Sequence, residues 1–358
     1  MLLSELTTIR VGGPARRLVD ATTRDELVAA TLEAWSSGEE WMVLGGGSNV
    51  VISDDGFDGT VIRTLNRGID CAVDGGGRII VQAGEPWDAL VDFAVSNGLS
   101  GIEALSGIPG SSGASPIQNI GAYGQEIGDT LVSIQFLDYL TGQIEHLTSG
   151  ELGLGYRTSS LKRGRQGVVL AIELELAARA QGAVAYPQLA KALGVPLGTQ
   201  VPLTEVRSGV LALRAAKGMV LDPADIDSRS CGSFFTNPIV DENFARGLPT
   251  DAPRWATEPE RPDIVVPLGQ QPPERDYDSS SLVKLSAAWL IERAGIARGF
   301  SLPGSNAAIS SKHTLAITNR GGATAAQVTE LARFVQARVR AKFGLTLQAE
   351  PVVIVLQL

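Results

Sequence analysis

Short apolar runs bounded by glycine and aspartate open the chain, and residues 17–21, 41–44, 50–53, 60–63 and 78–82 read as β-strands. Between them, Leu27, Ala30 and Ala34 recur at helical spacing behind a capping box of Thr23 and Glu26, and Gly38 supplies the stop. A second helix is expected where Trp87, Leu90, Val91 and Ala94 share one face, with Pro86 near the first turn and Gly98 at the end. Alternation over 131–140, a turn at Thr141-Gly142 and the run 143–147 predict a hairpin, and 168–176 predicts another strand.

Helical periodicity returns near the end of the chain. Residues 286–294 form one such segment, closed by Gly295, and Thr324 with Gln327 caps a longer one through Val328, Leu331, Val335 and Val339 to Gly344. A final apolar run, 351–356, reads as a strand. Pro249, Pro253, Pro259, Pro262, Pro267, Pro272 and Pro273 exclude regular helix over 248–280 and predict an extended surface excursion within the last domain. Strands and helices mix without regular alternation and without an internal repeat, which predicts an α+β architecture.

Composition narrows the class. The 358 residues are 44% hydrophobic and 19% charged with a mean hydropathy of +0.11, values of a globular chain long enough for two or three domains. A net charge of −9 argues against nucleic acid and anionic membranes, which demand a positive face. Cys71 and Cys231 are too far apart for metal-ligand spacing, and His146 and His313 add no cluster, so neither a disulfide framework nor a metal site is expected. The first residues carry no basic segment followed by a long apolar core, and no run approaches a membrane span, so a cytoplasmic protein is expected.

Two glycine clusters carry the candidate chemistry. Gly45, Gly46 and Gly47, followed by Ser48 and Asn49, sit directly after an apolar strand. Such a run can turn successive N–H groups toward phosphate oxygens, or can simply make a tight turn; it matches neither the Rossmann fingerprint nor the Gly-Lys-Ser/Thr ending of nucleotide triphosphatases. The second cluster spans 107–124 and interleaves Ile108, Ile117, Ile120 and Tyr123 with small residues, a pattern suited to a wall against a large flat ligand. Together they suggest a dinucleotide cofactor.

These motifs carry a resemblance. TTIRVGGPA at 7–15, LGGGSN at 44–49, IPGSSGASPIQNIGAYGQEIGD at 108–129, GYRTS at 155–159, GSFFTNP at 232–238 and SSKHTLAITN at 310–319 resemble the UDP-N-acetylenolpyruvoylglucosamine reductase family nearly end to end. The resemblance implies a two-lobed FAD-binding domain of the vanillyl-alcohol-oxidase (PCMH) type, with lobes at 1–70 and 71–215. A C-terminal α+β substrate domain follows at 216–358. It implies non-covalent FAD, NADPH as electron donor, UDP-N-acetylglucosamine enolpyruvate as substrate and a role in peptidoglycan precursor synthesis. A monomer is expected. FAD-binding positions would be Gly45, Gly46, Gly47, Ser48, Asn49, Gly107, Pro109, Gly110, Gly113, Ala114, Ser115, Gln118, Asn119, Gly121, Ala122, Tyr123 and Gly124.

Reduction of an enolpyruvyl double bond develops negative charge on its carboxylate side, so the site needs cationic or hydrogen-bonding groups there and a proton donor for the carbon that does not receive hydride. The resemblance gives the first role to Arg157, proton donation to Ser233, and a hydrogen-bonding role beside Arg157 to Glu350, whose carboxyl would have to stay protonated by burial. It places Tyr186, in a loop near 180–200, and Arg214, Lys217, Asn237 and His313 on the sugar nucleotide. By residue type alone, Ser233 reads as a turn-capping serine, and Lys217 and Arg214 as the solvated face of a helix. Two other functions remain open at this point: a flavin oxidase that passes electrons to oxygen, and a flavin or UDP-sugar binding protein without turnover.

Overall fold

The computed structural model describes residues 1–71, 77–257 and 282–356. Three parallel strands form the first sheet, in the order Ala15–Ala21, Phe57–Thr64, Trp41–Leu44. The helix Arg24–Ser37 makes the crossover between the first and third of these. The Thr23 hydroxyl accepts from the Glu26 N–H while the Glu26 carboxylate accepts from the Thr23 N–H, and Gly38 stops the helix in the left-handed region at φ 69°. Leu27, Thr31 and Ala34 are its buried face.

A second, antiparallel sheet of five strands runs in the order Ile144–Thr148, Leu131–Asp138, Gly167–Glu175, Arg78–Gln82, Ile69–Cys71. Its central strand, Gly167–Glu175, is apolar almost throughout because it is covered on both sides. Val168 and Leu170 pack with Leu27, Ala34 and Ile62 of the first lobe. Val169, Ile172 and Leu174 pack with Trp87, Leu90 and Val91 of the helix Trp87–Ser96.

The C-terminal part has its own core. Leu290 and Ile291 of the helix Ala287–Arg293 and Val328, Leu331, Val335 and Val339 of the helix Ala325–Phe343 enclose Phe234 and Phe235. Ile9, Val11 and Val51 from the beginning of the chain enter the same core. The chain end then crosses back, and Val352–Ile354 pairs in parallel with Val50–Ile52, directly after the first glycine cluster. This return brings residues some three hundred positions apart onto one wall. Among the described residues no helix is long and apolar enough to cross a membrane.

The structure differs from the sequence expectation in places. Most strand ends move by one to three residues, and the last strand is three residues long. The expected tyrosine-bearing loop near 180–200 is instead a hairpin of Gln181–Ala183 and Gln200–Pro202 around a short helix, Pro187–Leu193, and it leads into an unexpected helix, Leu203–Ala215. Leu189, Val206 and Val210 bury these elements against Ala104 and Val184, which holds the segment in place through its own small core. Of the proline-rich stretch, Pro249 and Pro253 precede a strand, Arg254–Thr257, paired with Leu282–Leu285. Pro259, Pro262, Pro267, Pro272 and Pro273 lie outside the described residues.

Candidate active site

The two glycine clusters pack backbone against backbone. A Cβ on Gly46 would lie 2.6 Å from the Gly110 Cα, and one on Gly45 would lie 2.2 Å from the Ser111 Oγ, so contact excludes a side chain at Gly46 and crowds one at Gly45, while Gly47 is set by its conformation at φ 60°. Together they floor a cleft of about 430 Å³ lined by Gly45, Gly46, Gly47, Ser48 and Asn49 on one side and Pro109, Gly110, Ala114, Ser115, Gln118 and Gly121 on the other. A second chamber of about 410 Å³ adjoins it through the shared Val43, Gly45, Ser111, Ala114 and Ile117, and adds Trp41, Gly113 and Phe136. Among the described residues, the N–H groups of Gly46, Gly47 and Ser48 find no acceptor. Unpaired amides in the wall of the first chamber, next to the Gly45 that both chambers share, fit the diphosphate of an extended dinucleotide, and on that observation the residues present suit FAD.

Gly107, Asn119, Ala122, Tyr123 and Gly124 do not line either chamber. Gly107 makes a turn at φ 70° and donates its N–H to Asp88 Oδ1 at 2.6 Å. Tyr123 and Gly124 form the turn between the two-residue strands Gly121–Ala122 and Gln125–Glu126. The Asn119 amide donates to Glu126 Oε2 at 2.7 Å and to the Gly155 carbonyl at 3.1 Å, and its Oδ1 accepts from the Gly128 N–H at 3.0 Å. Its side chain is therefore used in holding the loop that carries Arg157.

Arg157 stands at φ 55°, a costly conformation for a residue with a Cβ. Its Nη1 donates to the Asn119 carbonyl at 3.0 Å and its Nη2 to the Gly121 carbonyl at 2.5 Å, which leaves Nε facing Glu350 Oε1 at 3.7 Å. Gln118 Nε2 donates to the same oxygen at 3.3 Å. Burial pushes the Glu350 carboxyl above the usual carboxylate range, against the opposing charges of Arg157 and Lys162. Glu350 is fixed by its backbone, whose N–H donates to the Phe234 carbonyl at 2.9 Å, so Glu350 and Ser233 sit on neighbouring stretches. Ser233 lines the same cleft and has no hydrogen-bond partner among the described residues.

Four of the other substrate candidates, Tyr186, Arg214, Lys217 and His313, group around the end of the helix Leu203–Ala215. Arg214 lines the cleft, donates from Nη2 to the Met219 carbonyl at 2.9 Å, and has a buried Nε without a partner. Lys217 Nζ donates to Gln188 Oε1 at 2.9 Å and stands 5.6 Å from the centre of the Tyr123 ring, which meets Tyr186 edge-on. Burial, together with the charges of Lys217 and Arg298, lowers the His313 pKa to about 4, so its imidazole is neutral at pH 7. Asn237 is used structurally: its Oδ1 accepts from the Ala287 N–H at 2.9 Å and caps the helix that follows. None of Tyr186, Lys217, Asn237 and His313 lines the cleft itself.

Sequence reasoning missed Lys162, Met219 and Cys231, all of which face the cleft. Lys162 follows Arg157 by five residues, with no motif or periodicity to mark it. Burial raises the Cys231 thiol to about 12, so it is a neutral wall group.

Comparison with known proteins agrees with this geometry. The model of an FAD binding domain matches residues 15–148, and that of the UDP-N-acetylenolpyruvoylglucosamine reductase C-terminal domain matches residues 222–354. A UDP-N-acetylenolpyruvoylglucosamine reductase of Leifsonia xyli subsp. xyli is 59% identical over 99% of this chain and 98% of its own length. One from Nocardia farcinica is 46% identical over 98% of this chain and 88% of its own. The crystal structure of the Thermus caldophilus reductase superimposes with a TM-score of 0.65 at 28% identity, covering 99% of this chain and 97% of that one. The α+β fold, with a two-lobed FAD-binding unit ahead of an α+β C-terminal domain, is therefore the one expected, and the chain belongs to the UDP-N-acetylenolpyruvoylglucosamine reductase family.

Proposed function

We propose that this chain reduces UDP-N-acetylglucosamine enolpyruvate to UDP-N-acetylmuramate with electrons from NADPH, through non-covalently bound FAD, in peptidoglycan precursor synthesis. The observation that carries the reading is the convergence of Arg157, Ser233 and Glu350, from three separate stretches of chain, on the cleft floored by the glycine turns. FAD, when bound, supplies a two-electron carrier that accepts hydride from NADPH and delivers hydride to the enolpyruvyl double bond. Gly46, Gly47 and Ser48 would hold its diphosphate with their unpaired amides. Neither histidine lines the chambers, and Cys231 is a neutral thiol, which agrees with a cofactor held without a covalent bond.

The protein groups supply charge and a proton. Arg157, with two of its five donors fixed on carbonyls, keeps its Nε–H, on the side of Glu350, for the substrate carboxylate. Glu350, whose carboxyl burial shifts toward its protonated form, donates in that form a hydrogen bond to the substrate carboxylate where an ionised carboxyl would repel it. Negative charge that grows on the enolate as hydride arrives is stabilised by both groups. Ser233 gives its hydroxyl proton to the carbon next to the carboxylate, which completes the saturated ether. A serine is a weak acid, and the transfer works because an enolate is strongly basic.

Arg214 and Lys217 receive the diphosphate of the sugar nucleotide, with Tyr186, Asn237 and His313 along the same path. Burial and the neighbouring Arg214 destabilise the Lys217 ammonium, a cost that an arriving dianion would offset. In this reading the lobes divide near residue 70, the substrate domain begins near residue 216, and the enzyme works as a cytoplasmic monomer. Steady NADPH oxidation should require the enolpyruvyl sugar nucleotide, and oxidation sustained by oxygen alone would point to an oxidase. Under the same assay Lys217→Ala should raise KM for the sugar nucleotide about tenfold or more before kcat suffers. An unchanged KM with a collapsed kcat would contradict diphosphate contact.

A further inference from the structure

Lys162 is the one ammonium in the wall of the cleft, among the described residues, and no step above uses it. Its Nζ donates to the Glu350 backbone carbonyl at 3.3 Å, an oxygen that also accepts from Asn49 Nδ2 at 3.3 Å. That is its sole hydrogen bond from the ammonium among the described residues, so two of its three donors are unspent. The loop that carries it is anchored through its own backbone: the Lys162 N–H donates to Ser159 Oγ at 3.2 Å, and Ser159 Oγ in turn donates to the Ile117 carbonyl at 2.5 Å. A long, flexible side chain held half-buried against one carbonyl loses rotamer freedom and hydration, which a surface lysine does not.

We infer that Lys162 is a positioning residue for Glu350: through the carbonyl it holds the carboxyl at the depth of Arg157, and through its charge it sets how tightly that carboxyl keeps its proton. The inference rests on the reading of Glu350 as the group beside the substrate carboxylate. Its electrostatic surroundings are few. Arg157, Tyr156 and Lys162 face it from one loop, Cys231 faces it from the stretch before Ser233, and Gln118 and Asn49 contribute neutral amides. Tyr156 and Cys231 are held in their neutral forms by burial, so Arg157 and Lys162 are the charges that act on Glu350. Arg157 is the cation expected to engage the substrate carboxylate. Once engaged, its charge is shared, and Lys162 becomes the cation that still limits the rise in proton affinity of Glu350. Burial in turn destabilises the Lys162 ammonium, and the carboxyl opposes that effect, as expected of two groups that sense each other.

Removing the Lys162 charge disfavours the carboxylate, so the Glu350 titration must move to higher pH. The test is a pH titration of the Glu350 carboxyl by carbon-13 NMR in FAD-loaded protein labelled at glutamate Cδ, with Glu350→Gln identifying the resonance. In Lys162→Met the midpoint should rise by about one pH unit, and in Lys162→Arg, which keeps the charge, it should stay with the parent protein. The high-pH limb of substrate-driven flavin reoxidation should shift upward with it. If Lys162→Met fails to fold, Lys162→Gln is the second uncharged variant with the same expectation. A midpoint unmoved in the uncharged variant, or moved equally in Lys162→Arg, overturns the inference. The titration needs no substrate, so its failure would leave the reductase reading standing, and failure of the reductase reading would not disturb the titration.

Discussion

Ser233→Ala should leave bleaching of the flavin by NADPH intact while slowing recovery of the colour with the enolpyruvyl sugar nucleotide by roughly 10²–10⁴-fold, the usual worth of a positioned acid. The substitution is clean for a structural reason. The Ser233 hydroxyl has no hydrogen-bond partner among the described residues, so its removal leaves no group unpaired. The turn that presents it is held by other means: Gly232 adopts φ 71°, and Phe234 and Phe235 are fully buried in the C-terminal core. A loss of fold or of flavin is therefore not expected. Stopped-flow measurement of the two half-reactions separates the outcomes, and an equal loss in both would contradict a donor role.

Gly46→Ala should yield protein that is folded but colourless. The added methyl would stand 2.6 Å from the Gly110 Cα and 2.9 Å from its carbonyl carbon, and backbone atoms cannot step aside as a side-chain tip can. The two glycine turns must then separate, which disperses the amides that would hold the diphosphate. Gly45, Gly46, Gly47 and Gly110 lie outside every helix and strand, so the far-ultraviolet dichroism should stay near that of the parent. Gly38→Ala serves as the control. It replaces a glycine of positive φ, at a helix end where nothing lies within 4 Å, and should cost about 1 kcal/mol of stability without loss of flavin. A Gly46→Ala protein with the parent's ratio of flavin to protein absorbance would refute the cradle.

Local chemistry was the part of the fold legible in the sequence. Both capping boxes, Thr23 with Glu26 and Thr324 with Gln327, form as their spacing implies, because each depends on atoms within four residues. The parallel pairing of Val352–Ile354 with Val50–Ile52 left no such trace, since two short apolar runs carry no register of their own. That pairing matters most at Glu350, where a slip of one residue would turn the carboxyl out of the cleft. The helix Leu203–Ala215 was hidden differently: Leu203, Val206 and Val210 have helical spacing, but Gly209 and the preceding Pro202 weaken the local signal.

The site divides in the same way. The glycine turns could be read from their density, and the structure brings most of the second cluster to the chamber walls. Asn119, Tyr123 and Gly124 are used differently, in the loop and turn that support Arg157. A sequence motif does not distinguish a residue that faces the ligand from one that shapes the backbone behind it. Lys162 is the converse case, a plain lysine brought into the cleft only by the path of the chain.

The most direct test of the account is the visible spectrum of the purified protein through one anaerobic cycle. It should show bound flavin, lose its visible flavin absorbance on addition of NADPH in roughly equimolar amount, and regain it when UDP-N-acetylglucosamine enolpyruvate is added without oxygen. A protein that binds flavin and bleaches, yet stays bleached with that substrate, would contradict the central claim.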